Sequence, residues 1–261
     1  MMSSLAGKTI VVTRPSGQES GLVEKIQDAG ANVLVCPLIS IVPCYEKEEL
    51  HQTLSQLSSY DWIVFTSANG VNLTLEFARE QQQLKQFQNA RIACIGKATE
   101  AALSQWDLRA ALIPEFYQAE GLLEAFQKEP VQGKKFLLLR AKKAREILHE
   151  KLLNLGGIVT ELAIYDTLEN AEGMTRLAEA LNKKTIQAIT FTSPSTVHSF
   201  KAILHRHPGV NIEKIDFASI GPITSAALRQ EGYRVTIEAK IYTSEGLFEA
   251  IHEYFRKKVV A

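Results

Sequence analysis

Two short turns carry the residue types that can do chemistry. Thr66 and Ser67 follow the apolar run Trp62–Phe65, and Thr192 and Ser193 follow Ala188–Phe191. Each reads as a buried strand, then two hydroxyls, then the start of a helix. Such turns set hydroxyls beside the unpaired N–H groups of a helix N-terminus, at the strand ends where open α/β sheets bind anions. Thr99 and Thr224 stand three residues after Gly96 and Gly221, glycines that also follow strands and let a backbone approach a ligand. The same hydroxyls would serve equally as helix caps. Arg14 and Arg140 end two further strands. Arginine's rigid, permanently charged fork suits carboxylates, and a surface ion pair is its plainer use. Tyr165 offers a phenol that can hand over a proton or simply pack with its hydroxyl bonded.

The elements that position these residues recur. Gly133–Arg140 repeats Gly7–Arg14, an offset of 133 − 7 = 126, and the Thr-Ser turns share it, 192 − 66 = 126. Gly221 repeats Gly96 with 221 − 96 = 125, and Gly246 repeats Gly121 with 246 − 121 = 125. Four near-constant offsets mark a duplicated α/β unit. Strands read at 8–12, 32–35, 62–65, 92–95, 110–113, 134–139 and 188–191 alternate with helical stripes such as Leu22, Val23, Ile26 and Val71, Leu75, Ala78. Regular alternation implies parallel sheets with helices on both faces. Segment 37–43 is extended and bounded by prolines, 80–88 reads as a helix end and loop, and 114–118 as a loop. A tandem split near Pro130 and an exchange of the first strand–helix–strand unit between lobes, bridged by 37–43 and 163–167, both fit the repeat. Tyr165 has no counterpart: 165 − 126 = 39 is Ile39. Tyr117 and Tyr242 are repeat-equivalent and read as loop or packing residues.

Composition removes several function classes. Lys+Arg and Asp+Glu both number 29, a balance that argues against non-specific nucleic-acid binding. No apolar run is long enough for a membrane span, and the first residues lack a signal-peptide pattern, so a cytoplasmic protein without a membrane partner is expected. Cys36, Cys44 and Cys94 form no CxxC pair and read as reduced thiols. No histidine spacing suggests a metal site, and His205-Arg206-His207 reads as a solvated helix end. Phosphate-loop, dinucleotide and nucleophile-elbow motifs are absent.

Taken together, Thr13-Arg14-Pro15, Phe65–Val71, Ile95-Gly96 with Thr99, Ala119–Leu122, Arg140 with Arg145, Tyr165 with Thr167, Phe191–Pro194, Gly221-Pro222 with Thr224 and Ser244–Leu247 resemble the uroporphyrinogen-III synthase family along nearly the whole chain. The resemblance implies two similar α/β lobes, parallel sheets flanked by helices, joined by two antiparallel linker strands. One lobe would hold 1–36 and 168–261, the other 40–164, with linkers near 37–39 and 165–167 and a cleft between the lobes. It implies a lyase of haem and tetrapyrrole biosynthesis that closes hydroxymethylbilane to uroporphyrinogen III, losing water and inverting ring D. No metal or organic cofactor is expected, nor a nucleic-acid partner. The chain is expected to act as a monomer, with at most a transient contact to the preceding pathway enzyme.

Tyr165 matches the family's acid candidate. Thr66, Ser67, Thr99, Ser193 and Thr224 match its substrate-binding positions, with Thr192, Arg14 and Arg140 as further binding candidates. Position 223 holds Ile where some members carry a second threonine. The competing reading is a cytosolic two-lobed protein that binds or senses a small anion without catalysis.

Overall fold

The computed structural model describes residues 5–18, 20–115 and 119–260. The expected loop at 114–118 and Tyr117 therefore lie partly or wholly outside the described residues. In chain order the elements are β1 (Thr9–Val12), α1 (Ser20–Asp28), β2 (Asn32–Val35), β3 (Ile39–Pro43), α2 (Lys47–Ser55), β4 (Trp62–Phe65), α3 (Ala68–Glu80), β5 (Ile92–Cys94), α4 (Lys97–Ser104) and α5 (Ala119–Phe126). They continue with β6 (Lys135–Ala141), α6 (Ile147–Asn154), β7 (Ile158–Glu169), α7 (Ala171–Asn182), β8 (Ala188–Phe191), α8 (Pro194–Arg206), β9 (Asp216–Ser219), α9 (Pro222–Gln230), β10 (Val235–Glu238) and α10 (Ser244–Val260).

The chain divides into two compact units. The first comprises Met1–Ser40 with Leu168–Ala261, and the second Ile41–Thr167.

The first unit is built on a five-stranded sheet in the order β10-β9-β8-β1-β2, with parallel pairing throughout. Its inner strands β1, β8 and β9 are largely buried, and β1 and β8 read as continuous β-branched and apolar runs rather than alternating ones. Val11, Ile189, Phe191 and Phe217 face α7, α8 and α9 through Leu177, Phe200 and Leu228. Ile10, Val12, Ala218 and Ile237 face α1 and α10 through Leu22, Ile26, Leu247 and Phe255. Phe191, Phe200 and Phe217 meet edge to face, with centroids 5.3–5.5 Å apart, the arrangement ring quadrupoles favour.

The second unit has the sheet order β3-β7-β6-β4-β5. β4, β5, β6 and β7 are parallel. One face packs on α2, α3 and α4 through Leu54, Val71, Leu75 and Leu103. The other packs on α5 and α6 through Leu122, Phe126, Leu148 and Leu152. Val71, Leu75 and Ala78 fall at i, i+4 and i+7 of α3 and are buried, and each large apolar side chain contributes about 1.5–3 kcal/mol by leaving water.

The duplication extends to register. β1 pairs with β2 from Thr9↔Asn32, an offset of 32 − 9 = 23, and β6 pairs with β7 from Lys135↔Ile158, 158 − 135 = 23. Each sheet mixes strands from both halves of the sequence, since β1 pairs with β8 and β6 with β4. The strand expected at 110–113 is reduced to a single bridge, Ala93↔Leu112, whereas its counterpart β10 is a full edge strand. The 80–88 segment closes as a 3-10 turn over Leu84–Asn89. β3 and β7 are neighbours, and the Asn170 N–H donates to Leu38 O while the Cys44 N–H donates to Ile164 O. Six residues forward on one strand are thus six back on the other, which is antiparallel pairing.

Candidate active site

In the second unit β4 delivers Thr66 and Ser67 to the carboxyl end of the sheet. Ser67 is the N-cap of α3, in extended backbone, and its Oγ accepts the Gly70 N–H at 3.0 Å. Gly70 sits close against this turn: a Cβ there would come 3.3 Å from both Leu139 O and Ser67 Oγ, so a side chain would press those atoms by a few tenths of an ångström. The Tyr165 hydroxyl donates to the same Ser67 Oγ at 3.0 Å. Tyr165 is 7% exposed and packs in the core that holds Phe65, Val71 and Leu139.

Tyr165 reaches Ser67 because β7 carries a bulge. Pairing with β6 keeps its offset of 23 as far as Arg140↔Ala163, then Ala141 faces Tyr165, an offset of 165 − 141 = 24. Ile164 is the extra residue. Strict alternation would give Tyr165 the orientation of exposed Ala163, but Ile164 and Tyr165 are both buried. Re-aiming a side chain is what such bulges do. The Lys142 N–H, donating to Tyr165 O at 2.8 Å, resumes the ladder beyond it.

The first unit repeats the turn without the phenol. Ser193 caps α8 in nearly the same backbone conformation, and its Oγ accepts the Thr196 N–H at 3.3 Å. Pro194 occupies the first helical turn, where its missing N–H costs nothing. Gly96 and Gly221 precede α4 and α9, and Thr99 and Thr224 lie in their first turns, each only 3% exposed. Ser219 Oγ donates to Gly221 O and accepts the Gly221 N–H, fixing that turn. The Tyr242 ring lies over Gly221, where a Cβ would come within 2.8 Å of it; Tyr242 is half exposed, on a loop as expected. Ile223 is 50% exposed at the start of α9, so this position presents a hydrocarbon surface.

The predicted hydroxyls therefore fall into two kinds. Ser67 and Ser193 cap helices. Among the described residues, no hydrogen bond engages the side-chain hydroxyls of Thr66, Thr99, Thr192 or Thr224.

The two arginines also part. Arg14 is half-buried, and its Nη1 donates to Ser244 Oγ at the start of α10. Arg140 is buried, and all its nitrogens are engaged. They donate to Glu146 Oε1 at 2.6 Å and Oε2 at 3.2 Å, to Glu161 Oε1 at 2.7 Å and to the carbonyls of Ala144 and Ala141. Burial works against its charge, but the Glu146 hydrogen bond and the Glu161 and Glu146 charges outweigh it and raise its pKa; Arg140 holds Glu146 below the usual carboxylate range. Arg140 is thus held within the fold by two carboxylates and two carbonyls. The signal that could have shown this, Glu146 and Glu161 in reach, needs the β6–β7 register to be known.

Among the described residues one group, Glu146, His149 and Glu161, has ligand atoms close enough to hold a metal ion. Arg140 already bonds both of its carboxylates. Cys36 and Cys94 are buried and free, and burial pushes both thiols up to about 12, which leaves them inert as nucleophiles. Cys44 is free as well and half-buried, and burial raises it too. His205, Arg206 and His207 are exposed at the end of α8. Among the described residues no helix is long and apolar enough to cross a membrane.

The chain is 32% identical to the uroporphyrinogen-III synthase of Synechococcus elongatus over 258 residues, 97% of each chain. It is 28% identical to that of Chlorobaculum parvum over 250 residues, 94% of this chain and 98% of that one. Among solved structures, a mutant uroporphyrinogen III synthase from Thermus thermophilus shares the fold with a TM-score of 0.69 at 18% identity, covering 96% of this chain and 99% of that one. The Helicobacter pylori uroporphyrinogen-III synthetase does so with a TM-score of 0.61 at 21% identity, covering 94% and 99%. The family model described as Uroporphyrinogen-III synthase HemD matches residues 20–249, and the chain belongs to that family.

Proposed function

We infer that this chain closes hydroxymethylbilane to uroporphyrinogen III and that Tyr165 is the acid that starts the reaction. The substrate is a flexible linear tetrapyrrole bearing many carboxylates. Thr66, Thr99, Thr192, Thr224, Ser193 and Arg14, together with the N-terminal N–H groups of α3, α4, α8 and α9, supply donors for those carboxylates. Each unit carries such donors at its own sheet edge. Bringing the two ends of the bilane together converts an encounter between distant rings into an intramolecular step.

The chemistry then needs one proton moved. The phenolic O–H protonates the hydroxyl of the first ring, the C–O bond breaks, and water leaves as the pyrrole nitrogen pushes electrons into an azafulvene cation. The substituted carbon of the last ring attacks it, giving a spiro intermediate. Cleavage of that ring's other bond and reclosure at its free carbon invert it. The proton lost from that carbon returns to the phenolate, so the balance is one water released. What supports Tyr165 is its hydrogen bond to Ser67 at the head of α3, the place where the repeat is broken. General-acid assistance by Tyr165 is one contribution beside positioning.

The test is to add the protein to freshly prepared hydroxymethylbilane and separate isomers I and III. The bilane alone closes to isomer I. An excess of isomer III is expected; isomer I alone, at the uncatalysed rate, refutes the inference and favours the non-catalytic anion-binding reading.

A further inference from the structure

We propose that Ser67 is a positioning residue for Tyr165, switching from acceptor to donor as the phenol gives up its proton. The proposal rests on the reading of Tyr165 as the acid.

A serine hydroxyl has two acceptor sites and one proton. The Gly70 N–H occupies one acceptor site of Ser67 Oγ at 3.0 Å, and the Tyr165 O–H occupies the other at 3.0 Å. The Gly70 bond survives any change at Tyr165, because it belongs to the helix cap. It holds Ser67 in one rotamer, leaving the serine proton as the only part free to turn. When Tyr165 directs its own proton to the leaving hydroxyl, Ser67 can rotate its O–H toward the phenol oxygen. The serine keeps its proton throughout. The phenolate receives one hydrogen bond in place of the one it gave, and it lies one bond from the N-terminus of a 13-residue helix, which favours negative charge.

Three observations point to a pair built for this purpose. The bulge at Ile164 turns Tyr165 inward, at the cost of one unpaired residue in the ladder. Tyr165 is 7% exposed, and its hydroxyl bonds to Ser67. The other copy of the turn shows what the cap needs by itself. Ser193 caps α8 with the same geometry, and the position equivalent to Tyr165 is Ile39, buried and without a hydroxyl. The cap is complete without a phenol; the phenol in the second unit is an addition to it.

The test is a double-mutant cycle on kcat and KM for isomer III formation, with Ser67→Ala, Tyr165→Phe, the double variant and Ser67→Thr. Ser67→Ala is expected to lower kcat about 10-fold with KM within about twofold, and Ser67→Thr, which keeps a capping hydroxyl, to restore most of it. The double variant is expected to be no slower than Tyr165→Phe, since residues acting through one group do not add. Fully additive losses, or a raised KM with unchanged kcat, would overturn the proposal in favour of a separate capping or gripping role. Should Ser67→Ala fold poorly, Ser67→Gly, which is nearly as good a cap, repeats the test. If Tyr165→Phe itself leaves kcat unchanged, the acid assignment falls and this proposal with it. If Tyr165→Phe is slow and Ser67→Ala is not, only the present proposal falls.

Discussion

The two sheet edges share a backbone and differ in what lies beneath it. Both turns run from a strand ending in Phe through a capping serine into a 13-residue helix. Under the first unit's turn the buried positions Thr13, Thr190, Thr196 and Ser219 carry hydroxyls, and of these four Thr190 alone has no partner for its own among the described residues. Thr13 donates to Thr190 O at 2.6 Å, Thr196 to Ser193 O at 2.7 Å, and Ser219 to Gly221 O at 2.9 Å. At the repeat-equivalent positions the second unit has Leu139 for Thr13, Val64 for Thr190, Gly70 for Thr196 and Cys94 for Ser219. There the lining is apolar, with a single phenol aimed into it. A low-polarity surround makes one hydrogen bond count for more and a misplaced polar group cost more. On the proposed reading, the duplicated turn would offer anion donors in both copies, and the side chains beside it would decide which copy carries chemistry.

The arginines give the largest expected contrast in stability. Arg140→Gln removes the cation from Glu146 and Glu161. It is expected to cost about 2–3 kcal/mol in urea unfolding, below the 3–5 kcal/mol of a fully buried pair because Glu146 reaches solvent. Arg14→Gln is expected to show mainly as a raised KM. Equal losses of stability in the two variants would erase the contrast. The pair also predicts a pH dependence. Arg140 lowers the folded-state pKa of Glu146, so this stabilisation is present above the unfolded value, near pH 4.3, and is lost as pH falls through the lowered one. Denaturation curves for Arg140→Gln should lose that part of the acid sensitivity; an unchanged acid profile would count against the pairing.

Ser193→Ala tests the cap where no phenol is attached. It is expected to cost about 1 kcal/mol, a Tm decrease of about 2–4 °C for a chain of this size, read by thermal unfolding. A Tm equal to that of the unmodified protein would show that the turn is not held by its cap. Smaller still is Thr224→Ala, whose hydroxyl has no partner among the described residues. KM is expected to rise about two- to threefold with little change in Tm, by the loss of one exchangeable hydrogen bond. A folding defect without a KM change would assign Thr224 to the fold instead.

Much of this architecture is legible in the sequence because duplication states it twice. Constant offsets at Arg14 and Arg140, at the Thr-Ser turns and at Gly96 and Gly221 locate equivalent strand ends without any knowledge of pairing. Tyr165 stands out for the converse reason, as a residue the repeat does not copy. What does not show is anything that depends on register. The bulge at Ile164 changes the facing of Tyr165 by one residue, and β7 contains no glycine or proline to announce it. The Arg140–Glu161 bond spans 21 residues and exists only because β6 and β7 are neighbours. The loss of pairing at 110–113 is similarly silent, since an edge segment keeps its apolar residues whether or not it forms a ladder.

The most direct measurement is the rate and isomer ratio of Tyr165→Phe on hydroxymethylbilane, taken together. If the phenol supplies the proton and other residues hold the substrate, turnover falls roughly 10²-fold, the low end of general-acid effects, while the enzymatic product remains isomer III and the fold is retained. Turnover equal to that of the unmodified protein would contradict the account at its centre.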